Sequence, residues 1–205
     1  MVHHTTVFGV LGGIASGKSL VAQLLAGPDG LVLDADRMAH EELESAAGRE
    51  RLVERYGSSA LTPGGAVDRA SLARRAFADA EERRWLEGWI HPAVRVRIGA
   101  QLRAARDRGV ACVVLDVPLL LENDAQHHLV AACDALVFVD ASVEVRERRS
   151  RQSRSWPPGE LARREAAQLD LDEKRARADH VVMNEGPREA LDEVVHRIRA
   201  AHGLP

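Results

Sequence analysis

Gly12-Gly13-Ile14-Ala15-Ser16-Gly17-Lys18-Ser19 sets two glycines, a lysine and a hydroxyl at the spacing Gly-x-x-x-x-Gly-Lys-Ser. Residues of these types in this order form a P-loop, which cradles phosphate. Glycines let the backbone curl so that successive N–H groups converge on phosphate oxygens. A helix opening at the lysine adds the positive end of its dipole. Lys18 would reach the β- and γ-phosphates of a nucleotide, and the Ser19 hydroxyl would ligate Mg2+. The chain holds two lysines, Lys18 and Lys174, and its remaining basic residues are arginines. A lysine at this place is therefore no by-product of a lysine-rich composition.

Carboxylates stand where apolar runs end. Leu31-Val32-Leu33 leads into Asp34-Ala35-Asp36, and Val113-Val114-Leu115 leads into Asp116. Phosphoryl transfer asks little of a protein beyond positioning and charge stabilisation, with one carboxylate to take the acceptor's proton. Asp36 is the candidate base, and Asp34 could orient it or hold a metal-bound water. Either could instead cap the helix expected from about Arg37. Asp116 occupies the place of a metal-tuning carboxylate, or else is a strand-end turn residue. Arginines crowd the stretch between Val139 and His180, among them Arg146, Arg148, Arg149, Arg151, Arg154, Arg163 and Arg164. They are either a solvated helix face paired with glutamates or a lid that carries arginine to the transferring phosphoryl group. The pairs His3-His4 and His127-His128 lack metal-ligand spacing with cysteine and read as surface.

The elements that must position these groups follow from the apolar patterning. Val7–Leu11, Leu31–Leu33, Val113–Leu115, Leu136–Val139 and Val181–Met183 are continuous rather than alternating, as strands buried on both faces of a parallel sheet are. Helical patterns lie between them. Leu20–Ala26 follows the loop, and Gly186-Pro187 opens a last helix whose Leu191, Val194, Val195 and Ile198 form one stripe. Strands alternating with helices predict an α/β fold with ligands at the carboxyl edge of the sheet. The glycine loop, Asp34, Asp36, Asp116 and Asn184 all fall at that edge. Between Asp36 and Cys112 no strand-like run occurs; helical patterns cover Arg37–Tyr56, Asp68–Ala78, Ala80–Gly88 and Pro92–Gly109, with His91-Pro92 interrupting the last two. A crossover needs only about a dozen residues, so this excess predicts a helical insertion with a binding surface of its own.

Composition sets bounds. The 205 residues suit one domain with an insertion. Aromatics make up 3%, so the core must be built from Leu, Val, Ala and Ile. A net charge of −3 argues against broad nucleic-acid binding. Cys112 and Cys133 sit in or beside apolar runs and suggest no disulfide framework, so a reducing cytoplasm is expected. No signal segment or membrane-spanning run is visible.

By these residues the chain resembles the dephospho-CoA kinase family of P-loop kinases, nearly end to end. Leu11–Ser19 is similar to the family's opening, and Leu33-Asp34-Ala35-Asp36 with Ala39-His40 to its Asp-Ala-Asp motif. Val67-Asp68-Arg69 with Leu72 and Phe77, and Trp85-Leu86-Glu87 through Ile90-His91-Pro92, match helical-domain patterns. Asp116-Val117-Pro118-Leu119-Leu120 with Glu122 is the most telling stretch. Val139-Asp140 with Arg149, then Gln168, Glu173-Lys174, Ala178-Asp179 and Asn184 with Gly186, complete it.

The resemblance implies a P-loop NTPase fold with a five-stranded parallel sheet, a helical substrate-binding insertion over 37–111 and a lid over about 145–175, the core being 1–36 and 112–205. It implies transfer of the ATP γ-phosphoryl group to the ribose 3′-hydroxyl of dephospho-CoA, with Mg2+. Asp36 is then the general base, aided by Lys18 and by Arg149 and Arg154 from the lid. Gly12 through Leu20 would hold the ATP phosphates and Asn184 would lie near the adenine. Asp36, His91, Pro118, Leu119 and Glu122 would contact dephospho-CoA, and Ser19, with Asp34 and Asp116 through water, would serve the metal. ATP and dephospho-CoA are the expected partners, with no nucleic acid or membrane, in a monomer or weak homo-oligomer. Four positions depart from the family pattern: Ala15 stands for a usual glycine, Leu20 for a threonine, and Ser153 and Leu171 for arginines. Ala15 is compatible with the loop only if its φ need not be positive. Two other readings remain open: a P-loop kinase with a different small acceptor, and a nucleotide-binding protein that acts through a partner without turnover. No Asn-Lys-x-Asp guanine-reading motif is present.

Overall fold

A computed structural model describes residues 4–205. The five apolar runs become β1 (Thr6–Gly12), β2 (Leu31–Asp34), β3 (Cys112–Asp116), β4 (Ala135–Asp140) and β5 (His180–Met183). They pair in parallel in the order β2-β3-β1-β4-β5. The helices are α1 (Lys18–Ala26), α2 (Ala35–Leu43), α3 (Ala46–Tyr56), α4 (Arg69–Ala78), α5 (Ala80–Asp107), α6 (Asp124–His127), α7 (Val143–Arg154), α8 (Glu160–Glu165), α9 (Leu171–Ala176) and α10 (Arg188–Ala201). The chain groups into two compact units, one of residues through Asp34 with Leu102–Pro205, the other Ala35–Gln101.

In the first unit every residue of β1 is buried, because β1 is the central strand and both its faces are covered. On one face Phe8, Val10, Val114, Val137, Val139 and Val182 meet Val21, Ala22 and Leu25 of α1 and Leu191, Val195 and Ile198 of α10. The two helices bring small and branched side chains, so the core fills without aromatics apart from Phe8. This fixes α1 directly behind the end of β1, with the glycine loop between them. The loop thereby lies at the carboxyl end of the strand from which the sheet extends both ways, where open α/β sheets bind ligands.

At the opposite edge of the sheet, His180 at the start of β5 and His202 after α10 place their Nε2 atoms 3.0 Å apart. A hydrogen bond there requires one of the two Nε2 atoms to be unprotonated and to accept from the other. Burial, then the neighbouring His202, lowers the His180 pKa, and Asp179 opposes them. A lowered folded-state value means that stability is fully present above the unfolded value of about 6.5 and is lost as pH falls through the folded value. Thermal melts of wild type against His180→Asn should show the wild-type melting temperature dropping more steeply between pH 7 and 5. Parallel pH curves would remove the pair from any role in stability.

The second unit is helical. Ser45 caps α3 by accepting from the Gly48 N–H at 2.9 Å, and Asp68 caps α4 through the Ser71 N–H at 2.9 Å. The Ser45 cap splits the expected single stretch Arg37–Tyr56 into α2 and α3. Met38, Leu52, Leu72, Leu86, Ile90, Val94 and Ile98 are among its buried side chains. Tyr56, Trp85 and Trp89 meet edge to face, with the Arg55 guanidinium 4.6 Å from the Trp85 ring centre. The expected break at His91-Pro92 does not occur: α5 runs through Pro92. Proline removes one N–H to the carbonyl four residues back, here Gly88. Gly88, His91 and Pro92 are all exposed, so the carbonyl that loses its partner faces water, which limits the cost.

Candidate active site

Every residue of the glycine loop belongs to the first unit, and the loop is held by groups from far along the chain. Gly12 has φ 143°, and a Cβ there would stand 2.4 Å from the Val139 carbonyl oxygen, so the turn out of β1 admits glycine alone. Lys18 Nζ donates to the carbonyls of Gly12 at 3.1 Å and Gly13 at 2.8 Å. Burial lowers its pKa to about 8, with Asp116 and Glu165 opposing and Lys174 and Arg154 adding to the shift. Those four side chains are thus the charged surroundings of Lys18. Ser19 lies in the first turn of α1 and is exposed, and Leu20 packs against the core behind the loop.

Ala15 has φ 60°. The condition under which alanine would be neutral here is therefore not met: a Cβ in the left-handed region costs roughly 1–2 kcal/mol. Glycine would remove that cost but lose about 0.5–1 kcal/mol of chain entropy. Ala15→Gly is expected to stabilise the protein by about 0.5–1 kcal/mol, a rise of about 2 °C in a thermal melt. A lower melting temperature would show that the alanine methyl makes compensating contacts.

The carboxylates and the post-β3 loop are ordered as follows. Asp34 and Asp116 face each other in register at the ends of β2 and β3, and neighbouring strands lie about 4.8 Å apart. Two carboxylates so placed supply oxygen donors of the kind a hard divalent cation takes, Asp116 being also close enough to influence Lys18; among the described residues no group of three or more His, Cys, Asp or Glu side chains could hold a metal unaided. Asp36 stands in the first turn of α2, where the helix dipole favours a negative charge. Leu119 sits at φ 57°, an uncommon conformation for a branched residue, next to exposed Pro118. Such strain concentrates at functional loops. Glu122 is engaged within the fold: its carboxylate pairs with Lys174 Nζ at 2.7 Å and accepts the Leu169 N–H at 3.2 Å. His91 is exposed on α5.

The arginines between Val139 and His180 divide. Arg151 pairs with Glu147, and Arg163 with Glu160, on solvated faces. Arg146 is buried, donates to the Ala141 carbonyl at 3.0 Å and pairs with Glu165. The Glu165 carboxylate in turn accepts the Ile14 N–H of the loop at 3.0 Å. Arg149 donates to the carbonyls of Ser16 at 3.1 Å and Asn184 at 2.9 Å, and Asn184 Nδ2 donates to Ser16 O at 2.7 Å. Arg154 lies 4.9 Å and Arg164 4.3 Å from the Trp156 ring centre. Ser153 back-bonds to the Arg149 carbonyl at 2.7 Å, and Leu171 opens α9 behind an Asp170 cap.

Glu165 carries no role in the sequence reading; Arg146 enters it only among the candidate lid arginines, one of nine between Val139 and His180, and Lys174 only as one of two lysines and, with Glu173, in the family resemblance. Of the histidine pairs, His4 bridges to Asp134 at 3.3 Å at the surface, His127 accepts the Leu129 N–H at 3.1 Å, His128 is an exposed turn residue, and His3 lies outside the described residues.

Known proteins are similar to this chain in sequence and in fold. A family model described as dephospho-CoA kinase matches residues 6–189. A dephospho-CoA kinase of Symbiobacterium thermophilum is 39% identical over 196 residues, covering 95% of this chain and 79% of that protein. A solved structure from Thermus thermophilus matches with a TM-score of 0.76 at 33% identity, over 97% of this chain and 98% of that one. Dephospho-CoA kinase from Campylobacter jejuni matches at a TM-score of 0.68 and 20% identity, over 96% and 97%, a likeness of fold. With its glycine loop, parallel sheet and helical unit, the chain belongs to the dephospho-CoA kinase family.

Proposed function

We propose that the protein transfers the γ-phosphoryl group of ATP to the ribose 3′-hydroxyl of dephospho-CoA, giving CoA and ADP, the last step of coenzyme A biosynthesis. The observation that carries this reading is the phosphate-cradling loop, with Lys18 at its mouth, in a chain of this family. The bond between the γ-phosphorus and the β,γ-bridging oxygen breaks, and a bond from the 3′-oxygen forms. Asp36 takes the hydroxyl proton. The loop N–H groups and Lys18 hold the phosphates, and Arg154 and Lys174 add positive charge near Lys18 as negative charge moves toward the leaving oxygen. Ser19, Asp34 and Asp116 are the residues that would hold Mg2+, which when bound neutralises phosphate charge.

The helical unit, carrying Asp36 and His91, is the proposed holder of dephospho-CoA, together with Pro118 and Leu119. Among the described residues no helix is long and apolar enough to cross a membrane. Cys112 and Cys133 are unbridged, and burial pushes their thiols up to about 11 and about 12, which supports a reducing, cytoplasmic setting. ADP release measured with dephospho-CoA, with a sugar acid and with no acceptor tests the reading. Stimulation by dephospho-CoA alone is expected; equal ADP release in all three would contradict it.

A further inference from the structure

The Ser16 carbonyl is held by two donors that come from different parts of the fold. Asn184, at the end of β5 and 6% exposed, donates Nδ2 at 2.7 Å. Arg149, on α7, donates Nη1 at 3.1 Å, and its Nη2 reaches the Asn184 carbonyl at 2.9 Å. The three groups close a triangle: loop carbonyl, asparagine and guanidinium. Asn184 is itself fixed, its N–H donating to the Asp140 carbonyl at 2.8 Å. Gly17, with φ 95°, is fitted to the asparagine: a Cβ there would stand 2.1 Å from Asn184 Nδ2.

A trans peptide is planar, so its C=O and N–H point in opposite directions. Holding the Ser16 carbonyl toward Asn184 and Arg149 turns the Gly17 N–H the other way. That N–H immediately precedes Lys18 and opens α1, where backbone donors and the helix dipole gather anions. Rotation of this peptide would present an oxygen in place of a donor. Two hydrogen bonds, one of them charge-assisted, oppose that rotation.

We infer that Asn184 and Arg149 are positioning residues for the phosphate cradle, fixing the Ser16–Gly17 peptide so that its N–H serves the nucleotide's phosphates. The inference deepens the proposed ATP-dependent function and rests on it. It gives Asn184 a task independent of the base, and gives Arg149 a task on the loop backbone. Both residues then act on anything that carries the polyphosphate, with or without adenine.

The test compares ATP with inorganic tripolyphosphate, which has no base, each with Mg2+. Calorimetry on wild type, Asn184→Ala, Asn184→Asp, Arg149→Ala and Arg149→Lys reads Kd for both ligands. Removing one of the two donors on this buried carbonyl is expected to weaken polyphosphate binding by about tenfold. Asn184→Ala and Asn184→Asp should weaken ATP and tripolyphosphate by the same factor, with the KM for dephospho-CoA unchanged. Arg149→Lys should recover part of what Arg149→Ala loses, and the double alanine variant should lose more than the sum of the two single losses, because only it leaves the shared carbonyl with neither donor. Circular dichroism checks that each variant is folded, and the conservative variants carry the test if Asn184→Ala is not. Loss of ATP affinity with tripolyphosphate unchanged would overturn the inference and assign Asn184 to the base. An equal loss of dephospho-CoA binding would also overturn it, as general damage to the fold. A wild type that binds neither polyphosphate would instead overturn the functional reading itself, and the inference with it.

Discussion

Asp36→Asn should lower turnover by about 10²–10⁴-fold while leaving ATP affinity unchanged. The substitution keeps the shape of the side chain and removes its capacity to accept a proton. Its other consequence is small: a negative charge in the first turn of a helix is worth about 0.3–1 kcal/mol, too little to unfold a domain. A large fall in kcat with Kd for ATP retained therefore separates a chemical role from a structural one. Near-normal turnover would take the base role from Asp36 and leave it as a helix-terminus residue.

Lys18→Ala should lower kcat/KM by about 10²–10³-fold, the scale for removing one preorganised charge at a site of developing negative charge. Lys18 also predicts a pH dependence. Burial lowers its pKa to about 8 despite the nearby Asp116, and phosphates of ATP raise it again. Binding above pH 8 must then take up a proton, so ATP affinity should fall about tenfold per pH unit there and level off below. Lys18→Arg stays charged throughout this range and should abolish that slope even if it binds more weakly. Calorimetry between pH 7 and 9.5 reads both results. A wild-type affinity that is flat across that interval would show that Lys18 does not gain a proton on binding.

The strands were legible because each is an unbroken apolar run between turn residues; β1, β3 and β4 are buried on both faces as such runs report, whereas the edge strands are not, β2 being only partly buried and β5 leaving Val181 and Met183 exposed. The loop was legible because glycine and lysine spacing is dictated by phosphate geometry. Helix boundaries were legible only in part. Proline at 92 looked like a stop, but exposure of Gly88, His91 and Pro92 lets the helix continue. Ser45 looked like one polar residue in a helical stretch, whereas its hydroxyl ends one helix and starts the next.

Arg149 and Asn184 were named from the sequence, but the contacts by which they and Glu165 support the loop were not legible, for a physical reason. Glu165 reaches Ile14 across 151 positions, and Asn184 reaches Ser16 across 168. No local pattern encodes which of the nine arginines between Val139 and His180 turn inward. Arg146 and Arg149 stand three apart on α7 and both face the loop, while Arg151 pairs with Glu147 in solvent. A helix whose buried residues are Arg146 and Ser150 gives no apolar stripe to read. Ala15 shows the same limit in the backbone: its identity was plain, its positive φ was not.

The most direct test of the central claim is to incubate the protein with Mg-ATP and dephospho-CoA, and to follow the acceptor by mass and phosphorus NMR alongside ADP. One phosphoryl group gained at the ribose 3′ position for each ADP released is the result expected. ADP without a phosphorylated acceptor, or phosphate at any other position, would contradict the account.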